Sequence, residues 1–427
     1  MILHKNELEP GAKSTPIWLF LCPPVIFALV NLSLRTSGLF PHSTGDELAW
    51  LRLLSLREEG YSPPISGPLF VWIIETMAET VPWPTETILS GAAMMFGALS
   101  IFVVHYSYVR YEGCEHSGVI ALLFLISTSY FLAPAMEARP QQLGSILLFV
   151  TMLRHLSDKY KSPDYWTIIL LIILLYVHLF SMVVCSIGLF LLAYTRWLST
   201  ELPDSKLFFW ALTLSLILSA VWVIPGYSTL LLDIFKHHLL VQTTINFRFF
   251  FIGLVGLLIF SLGLRQRYPF VLKIMRLCRE RKYLMLLMVL ITIIATFYWQ
   301  ALILPQESFN YYEGSSVRFI FWQLGNGIFL ASFLFGAARC LEKTNKYNIF
   351  LRGASLLGII GILCFAVSPF VLNKNWMIRV VYYWVLFAAP ICAVGAIHLV
   401  QSKKWLFLTM LPIALTTSLM HVTRISW

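Results

Sequence analysis

Charged residues are scarce in this chain. Only 12% of the 427 residues are Asp, Glu, Lys or Arg, whereas 58% are apolar. A water-soluble surface normally needs about a quarter charged residues, so the composition excludes a soluble globular protein. It indicates an all-α, polytopic membrane protein made of one membrane domain spanning residues 1–427.

Cysteine is also scarce, and its placement argues against a disulfide framework. Four of the seven cysteines fall in apolar segments. Cys114, Cys278 and Cys340 fall in loops that we expect to face the cytoplasm. No Cys-x-x-Cys spacing occurs, so we expect all seven to be packing residues.

Long apolar runs are abundant instead. A helix needs about 20 residues to cross the hydrocarbon core of a bilayer, and runs near that length recur along the chain. We predict spans at 17–34, 87–109, 117–136, 140–156, 207–224, 249–264, 284–304, 317–337, 353–372, 381–400 and 405–422. The first contains Pro23-Pro24 and no small-residue cleavage site, which favours a retained, kinked anchor over a signal peptide.

One further run, residues 165–194, is too long for a single crossing. As one helix it would measure about 45 Å, against a hydrocarbon core of about 30 Å. Basic residues flank both of its ends, which indicates that both ends lie in the cytoplasm. We therefore predict a break near Tyr176-Val177-His178 and about 13 transmembrane helices in all.

The basic residues therefore indicate membrane topology rather than a surface that binds nucleic acid. With the N-terminus inside, most of the 31 basic residues fall in short cytoplasmic loops, the cluster at 265–282 among them. This follows the positive-inside tendency and accounts for most of the net charge of +10. We predict no nucleic-acid partner, although 265–282 could hold anionic lipid headgroups.

The first extracytoplasmic loop, residues 35–86, is the only long one. From Asp46 to Glu59 leucines favour one side of a helix and charged residues the other, and Gly60 provides a stop. We expect this helix to lie in the membrane interface. A second helical piece is predicted at 67–79, after the rigid Pro63-Pro64 turn.

An acid pair, Asp46-Glu47, opens that loop helix. One interpretation is local: Asp46 caps the helix, and Glu47 favours its first turn through the helix dipole. The other is catalytic, with Asp46 as the general base that takes a proton from an acceptor attacking an activated sugar, and Glu47 assisting or orienting it.

Two further motifs are predicted on the same side of the membrane. Tyr61-Ser62-Pro63-Pro64 is either an ordinary loop turn or a stiff support for the acid-bearing helix, with Tyr61 near substrate. In the 137–140 turn, one interpretation is that Arg139 snorkels to the membrane interface. The other is that it binds a phosphate or pairs with the catalytic acid. Glu137 is its expected partner.

The remaining candidates are single residues near the outer interface. His178 either caps a short helix at the predicted break or contacts a lipid phosphate or acceptor. Arg379 and Arg318 either snorkel or bind the phosphate of a donor, and Tyr382 follows Arg379 at the start of a late span. Tyr311 belongs either to an aromatic belt or to a lid over a sugar.

These features in this order resemble the GT-C superfamily of membrane glycosyltransferases. The resemblance is greatest to the bacterial branch related to protein O-mannosyltransferases and to the lipid A aminoarabinose transferase. Its motifs cover residues 42–145 and the region of Arg379. In that family the acid after the first span is the catalytic base, and the matching positions are Asp46 and Glu47. The family often has a histidine before its Pro-Pro element; Ser62 stands there, so that histidine's role is not carried over.

The resemblance implies a polyprenyl-phosphate sugar donor and transfer to a lipid, glycan or protein acceptor. The reaction would take place on the outer face of the inner, or cytoplasmic, membrane. The chain has no nucleotide-binding glycine loop, in keeping with a donor that is not a nucleotide sugar. Because it also has no Asp-x-Asp motif, we predict no cofactor and no required catalytic metal.

Two other classes compete with this interpretation. A polytopic transporter or lipid flippase has the same hydropathy, but it tends to place ionisable groups at mid-membrane and to show paired halves. Here the acids gather at one interface and no halves are visible. An O-antigen polymerase or ligase usually has its long outer loop late in the chain rather than first.

Overall fold

Helices are the regular secondary structure of the described part of the chain. The computed structural model describes residues 16–41, 44, 47–50, 52, 67–112, 115–156, 165–182, 184–186, 188–189, 327–340, 350–355, 358–359, 374–402 and 412. No strand occurs among these residues. The predicted spans at 207–224, 249–264 and 284–304 lie outside them, as do most of 353–372 and nearly all of 405–422, so the predicted total of about 13 spans stays a prediction.

Two helices in this part are long and apolar enough to cross a membrane, Ile17–Thr36 and Thr85–Arg110. The first is α1, Ile17–Thr36, which continues through Pro23 and Pro24. Its buried residues form one stripe, at Pro24, Phe27, Asn31 and Arg35. Most of its other apolar side chains are exposed, as expected of a helix that meets lipid.

The second helix predicted within the 35–86 loop forms where the sequence predicted it. α2 runs over Pro68–Thr80 against the predicted 67–79. It begins after Gly67, whose φ of 93° lies in the left-handed region that glycine adopts without strain. Pro68 then suits the first turn, because its missing N–H would have no partner there.

The predicted span at 117–136 is wrong as a single helix. After α3, Thr85–Glu112, the chain forms α4, Glu115–Ile126, and then α5, Ser129–Ala135. At the interruption the hydroxyls of Ser127 and Thr128 donate to the Phe124 and Leu125 carbonyls, at 2.7 and 2.9 Å. Such side-chain bonds to backbone compete with the helical ladder.

α6, Pro140–Leu156, matches its predicted bounds. α7, Tyr165–Val177, ends where the break was predicted; His178 is not helical, and helix resumes at Leu179. Gly144 of α6 packs against Ser181, and Gly188 packs against Met152 farther along α6. The described residues 179–182, 184–186 and 188–189 therefore run alongside α6 in the same direction, starting from the end where α6 begins.

Two later helices close the core. α8, Gly327–Cys340, and α9, Lys374–Ser402, pack closely together. Their buried side chains join those of α1, α3–α7 and residues 350–354 in one cluster. Cys340, predicted in a loop, is instead the last residue of α8 and fully buried; its expected role in packing is confirmed.

Candidate functional site

The site lies around the turn between α5 and α6, residues 136–139. Glu47 from the first loop reaches this turn, since its Oε1 accepts a hydrogen bond from the Ala138 backbone N–H at 2.9 Å. Close by, the start of α2 packs on it as well: Gly67 lies against Pro140 and the Val177 carbonyl. Segments far apart in sequence therefore meet at one end of the helical bundle.

A capping box begins the helix that carries Glu47. The Thr44 carbonyl accepts from the Leu48 N–H at 2.9 Å, and the Thr44 hydroxyl accepts from the Glu47 N–H at 3.3 Å. In return, the Glu47 carboxylate accepts from the Thr44 N–H at 2.9 Å. This Thr-x-x-Glu arrangement makes Thr44 the N-cap. The local interpretation of Asp46 as the capping residue is therefore wrong, and Asp46 itself lies outside the described residues.

Arg35 is the principal partner of Glu47. Its Nη2 and Nη1 donate to the two carboxylate oxygens of Glu47 at 2.8 and 3.1 Å. Both side chains are essentially buried, with 3% of Arg35 and none of Glu47 exposed. Because two Arg35 donors and two backbone N–H groups occupy the carboxylate, its geometry suits orienting rather than proton abstraction.

Arg35 also holds the backbone of the turn. Its Nη2 donates to the Met136 carbonyl at 2.7 Å, and its Nε donates to the Asn31 side-chain oxygen at 3.1 Å. Asn31 in turn donates to the same Met136 carbonyl at 3.3 Å. Sequence reasoning missed Arg35. Two signals were available, the polar pair Asn31 and Arg35 four residues apart on an apolar helix and the capping-box spacing of Thr44 and Glu47.

A second ion pair lies on the turn itself. The Arg139 guanidinium donates through Nε to Glu137, which confirms the predicted pairing. Glu137 is buried, whereas 24% of the Arg139 side chain is exposed. Among the four charged side chains Arg35, Glu47, Glu137 and Arg139, only Arg139 is open enough to meet a ligand.

Tyrosines of α9 extend the polar region along α6. The hydroxyls of Tyr382 and Ser145 form a hydrogen bond at 2.6 Å, and the Tyr382 ring stacks on Phe131. The predicted site residue Tyr382 therefore lies beside α6, the helix that begins directly after the 136–139 turn.

His178 caps the helix that begins at Leu179. Its Nδ1 accepts from the Ser181 backbone N–H at 3.2 Å, so the predicted capping role is confirmed. The Tyr383 hydroxyl lies 3.2 Å from the same nitrogen and also bonds to the Ser181 hydroxyl. His178 is buried, and this network accounts for its position without a ligand.

The structure does not describe the side chains of the remaining candidates, so their positions relative to the site stay predictions. Asp46, Tyr61, Tyr311 and Arg318 lie outside them. Arg379 belongs to α9, three residues before Tyr382, but its side chain is likewise outside what the structure describes.

Comparisons with known proteins add no relative. A scan against protein-family models gives no match to this chain, and a search of curated proteins gives no significant match.

Proposed function

We propose that this chain is a polytopic membrane glycosyltransferase. It moves a sugar from a polyprenyl-phosphate donor to a lipid, glycan or protein acceptor at the extracytoplasmic face of the cytoplasmic membrane. Asp46 is the proposed general base. Arg139, Arg379 and Arg318 are the proposed ligands of the donor phosphate.

The observation that carries the proposal is the hydrogen bond from Ala138 to Glu47. It joins the acidic segment after α1 to the turn that presents Arg139, although the two are 91 positions apart in the chain. Glycosyl transfer from a lipid phosphate needs a carboxylate for the acceptor proton and a cation for the departing phosphate. Glu47, the neighbour of Asp46 in the chain, meets the turn that carries Arg139, which supports this chemistry.

The reaction has one displacement at the anomeric carbon. The acceptor oxygen or nitrogen forms its bond to that carbon while its proton passes to the Asp46 carboxylate. The bond from the carbon to the phosphate oxygen breaks, and the polyprenyl phosphate leaves with the electron pair. A carboxylate near the anomeric carbon also stabilises oxocarbenium character in the transition state, and a planar guanidinium suits the phosphate.

The other proposed substrate contacts are residues that the sequence analysis predicted. Glu137 is buried and is proposed to act on the donor headgroup only through its ion pair with Arg139. Tyr382 is proposed to border the headgroup. Tyr61 and Tyr311 are proposed to meet the substrate from the outer loops. The apolar exterior of α1 is compatible with a donor whose polyprenyl tail stays in the bilayer.

Mass spectrometry of lipid retained by the detergent-purified protein tests the proposal directly. The expected result is a polyprenyl phosphate carrying one sugar, and its headgroup identifies the donor. Incubation with that lipid should release free polyprenyl phosphate when an acceptor is present. A phospholipid as the sole retained lipid, together with no release from a panel of polyprenyl-phosphate sugars, would contradict the proposal.

Sidedness is tested by cysteine labelling at residue 46. In a background without the native cysteines, we expect Asp46→Cys in intact cells to react with a membrane-impermeant maleimide. An engineered cysteine in the basic segment 265–282 is the control and should react only after permeabilisation. Labelling of residue 46 only in permeabilised cells would place it in the cytoplasm and overturn the proposed outer active site.

Arg379→Ala is expected to weaken donor binding. Loss of a charge-assisted hydrogen bond to a phosphate removes about 1.5–3 kcal/mol, which corresponds to a rise in the donor KM on the order of 10- to 100-fold. The matched control is Arg110→Ala, at the far end of α3, where Arg110 bonds to Tyr106 and should not affect the donor. An unchanged donor KM in Arg379→Ala would assign Arg379 to membrane topology.

A further inference from the structure

The Arg35–Glu47 ion pair joins three separate parts of the chain. Arg35 ends the buried stripe of α1, Glu47 lies in the first turn of the loop helix, and both bond to the 136–138 turn. The pair closes a bidentate contact at 2.8 and 3.1 Å. We name these two residues the latch.

Stability alone does not explain the latch. Removing two charges from water is costly, and well-packed apolar side chains often replace a buried pair without loss of stability. The loop helix already has an apolar attachment, because the Trp50 ring packs edge-on against Phe70 of α2 with centroids 5.2 Å apart. The latch adds a fixed orientation of the loop helix relative to the 136–138 turn, because its charge-assisted hydrogen bonds have a specific geometry.

Fixing Glu47 also restricts the residue before it in the chain. Consecutive Cα atoms are about 3.8 Å apart, so a fixed Glu47 restricts where the backbone of residue 46 can lie. The Thr44 cap fixes the chain on the other side of that residue. The chain is therefore held on both sides of Asp46, at Thr44 and at Glu47.

We propose that the Arg35–Glu47 latch is a positioning device that sets Asp46 against the donor bound near the 136–139 turn. This inference rests on the proposed glycosyl transfer. Neither latch residue takes part in proton transfer or touches the phosphate. A small displacement of a catalytic group is enough to matter, because about 1 Å of misplacement can cost a factor on the order of 100 in rate.

Glu47→Gln is the sharpest test of the latch. Both carboxylate oxygens accept backbone N–H groups, one from Ala138 and one from Thr44. A glutamine can accept at only one end, and its NH₂ would face a donor at the other. We expect kcat to fall on the order of 100-fold, with the donor KM changed less than about twofold. Arg35→Lys keeps the positive charge but loses the two-pronged guanidinium, so its kcat should fall less than that of Glu47→Gln, again at nearly constant KM. It replaces Glu47→Gln as the test if that variant does not fold.

The matched control is Arg52→Met, which removes an exposed arginine from the same loop helix and should leave kcat unchanged. A second readout is independent of activity. Spin labels at Leu48 and Leu99, both partly exposed, report the distance from the loop helix to α3 in a cysteine-free background. We expect one narrow distance distribution in the parent and in Arg52→Met, and a broader one in Glu47→Gln and Arg35→Lys.

The outcomes separate the latch from the function. A broadened distribution with lower kcat and constant KM supports the inference. An unchanged distribution overturns the latch, and a broadened distribution with unchanged kcat overturns its role in positioning. If the parent transfers no sugar from any polyprenyl-phosphate donor, the proposed function fails and positioning fails with it; the distances still show whether the pair holds the loop helix.

Discussion

Asp46→Asn should lower the rate of sugar transfer by a factor on the order of 10² to 10⁴, the usual contribution of a general base. Asparagine has nearly the shape of aspartate but cannot accept a proton at neutral pH. The donor KM should change little, because the donor phosphate is proposed to bind to arginines. The measurement is release of polyprenyl phosphate by purified protein supplied with donor and acceptor.

The substitution should leave the fold intact. The cap of the loop helix is Thr44, so removing the Asp46 charge does not remove the cap. Thermal unfolding of Asp46→Asn in detergent should therefore match that of the parent. This separates a chemical defect from a folding defect.

Glu79→Gln provides the matched control for the acid. It makes the same change from carboxylate to amide at an exposed position of α2, in the same predicted extracytoplasmic loop. Its rate should equal that of the parent. If Asp46→Asn turned over as fast as Glu79→Gln, Asp46 would not be the base, and the catalytic interpretation of the acid pair would have to be abandoned.

The largest expected loss of stability comes from alanine at Gly395 or Gly336. These glycines lie where the backbones of α8 and α9 come into close contact. A methyl group on Gly395 would overlap the Ser332 carbonyl, and one on Gly336 would overlap the Ile391 carbonyl. Both obstructing groups are backbone, so a change of side-chain rotamer cannot relieve the overlap, and the helices must separate.

Separation would disturb the centre of the core. Near this crossing the Cys392 thiol donates to the Phe329 carbonyl at 3.3 Å, and Trp384 packs between Phe329 and Phe333. Overpacking of a tight core costs about 1–3 kcal/mol and sometimes more. We expect a clearly lower apparent unfolding temperature, measured by intrinsic fluorescence in detergent, and a smaller monodisperse yield.

Gly91→Ala is the matched control. It is the same substitution in a helix, but a methyl group at Gly91 has nothing within 4 Å. Alanine is favoured over glycine within helices by about 1 kcal/mol, so this variant should be as stable as the parent or slightly more stable. Equal unfolding temperatures for Gly395→Ala and Gly91→Ala would show that the close helix approach is not required.

Local features of the sequence predicted several elements correctly. The apolar run at 140–156 is α6, the segment predicted as helical at 67–79 is α2, and the 165–194 run is interrupted at His178. The pairing of Glu137 with Arg139 was also predicted. Each of these depends on residues close together in the chain, where composition and proline or glycine geometry act directly.

The break at 127–128 and the capping role of Thr44 were local as well, yet they were not predicted. In the first case the apolar run continues through Ser127 and Thr128, and hydropathy does not report hydroxyls that bond to backbone. In the second, Asp46 is itself a common capping residue, and only the Thr-x-x-Glu spacing of Thr44 and Glu47 marks Thr44 as the cap. Both signals were present in the sequence.

By itself the sequence determined that the chain is apolar, helical in the part described, and equipped with an acid pair after its first apolar helix. These properties follow from composition and from periodicity within single segments. Only the tertiary structure decided that Glu47 meets Arg35 and Ala138, and that Gly336 and Gly395 let α8 approach α9. Such partners depend on the register and distance between helices. Those quantities are set by side-chain packing across the whole bundle rather than by any one segment.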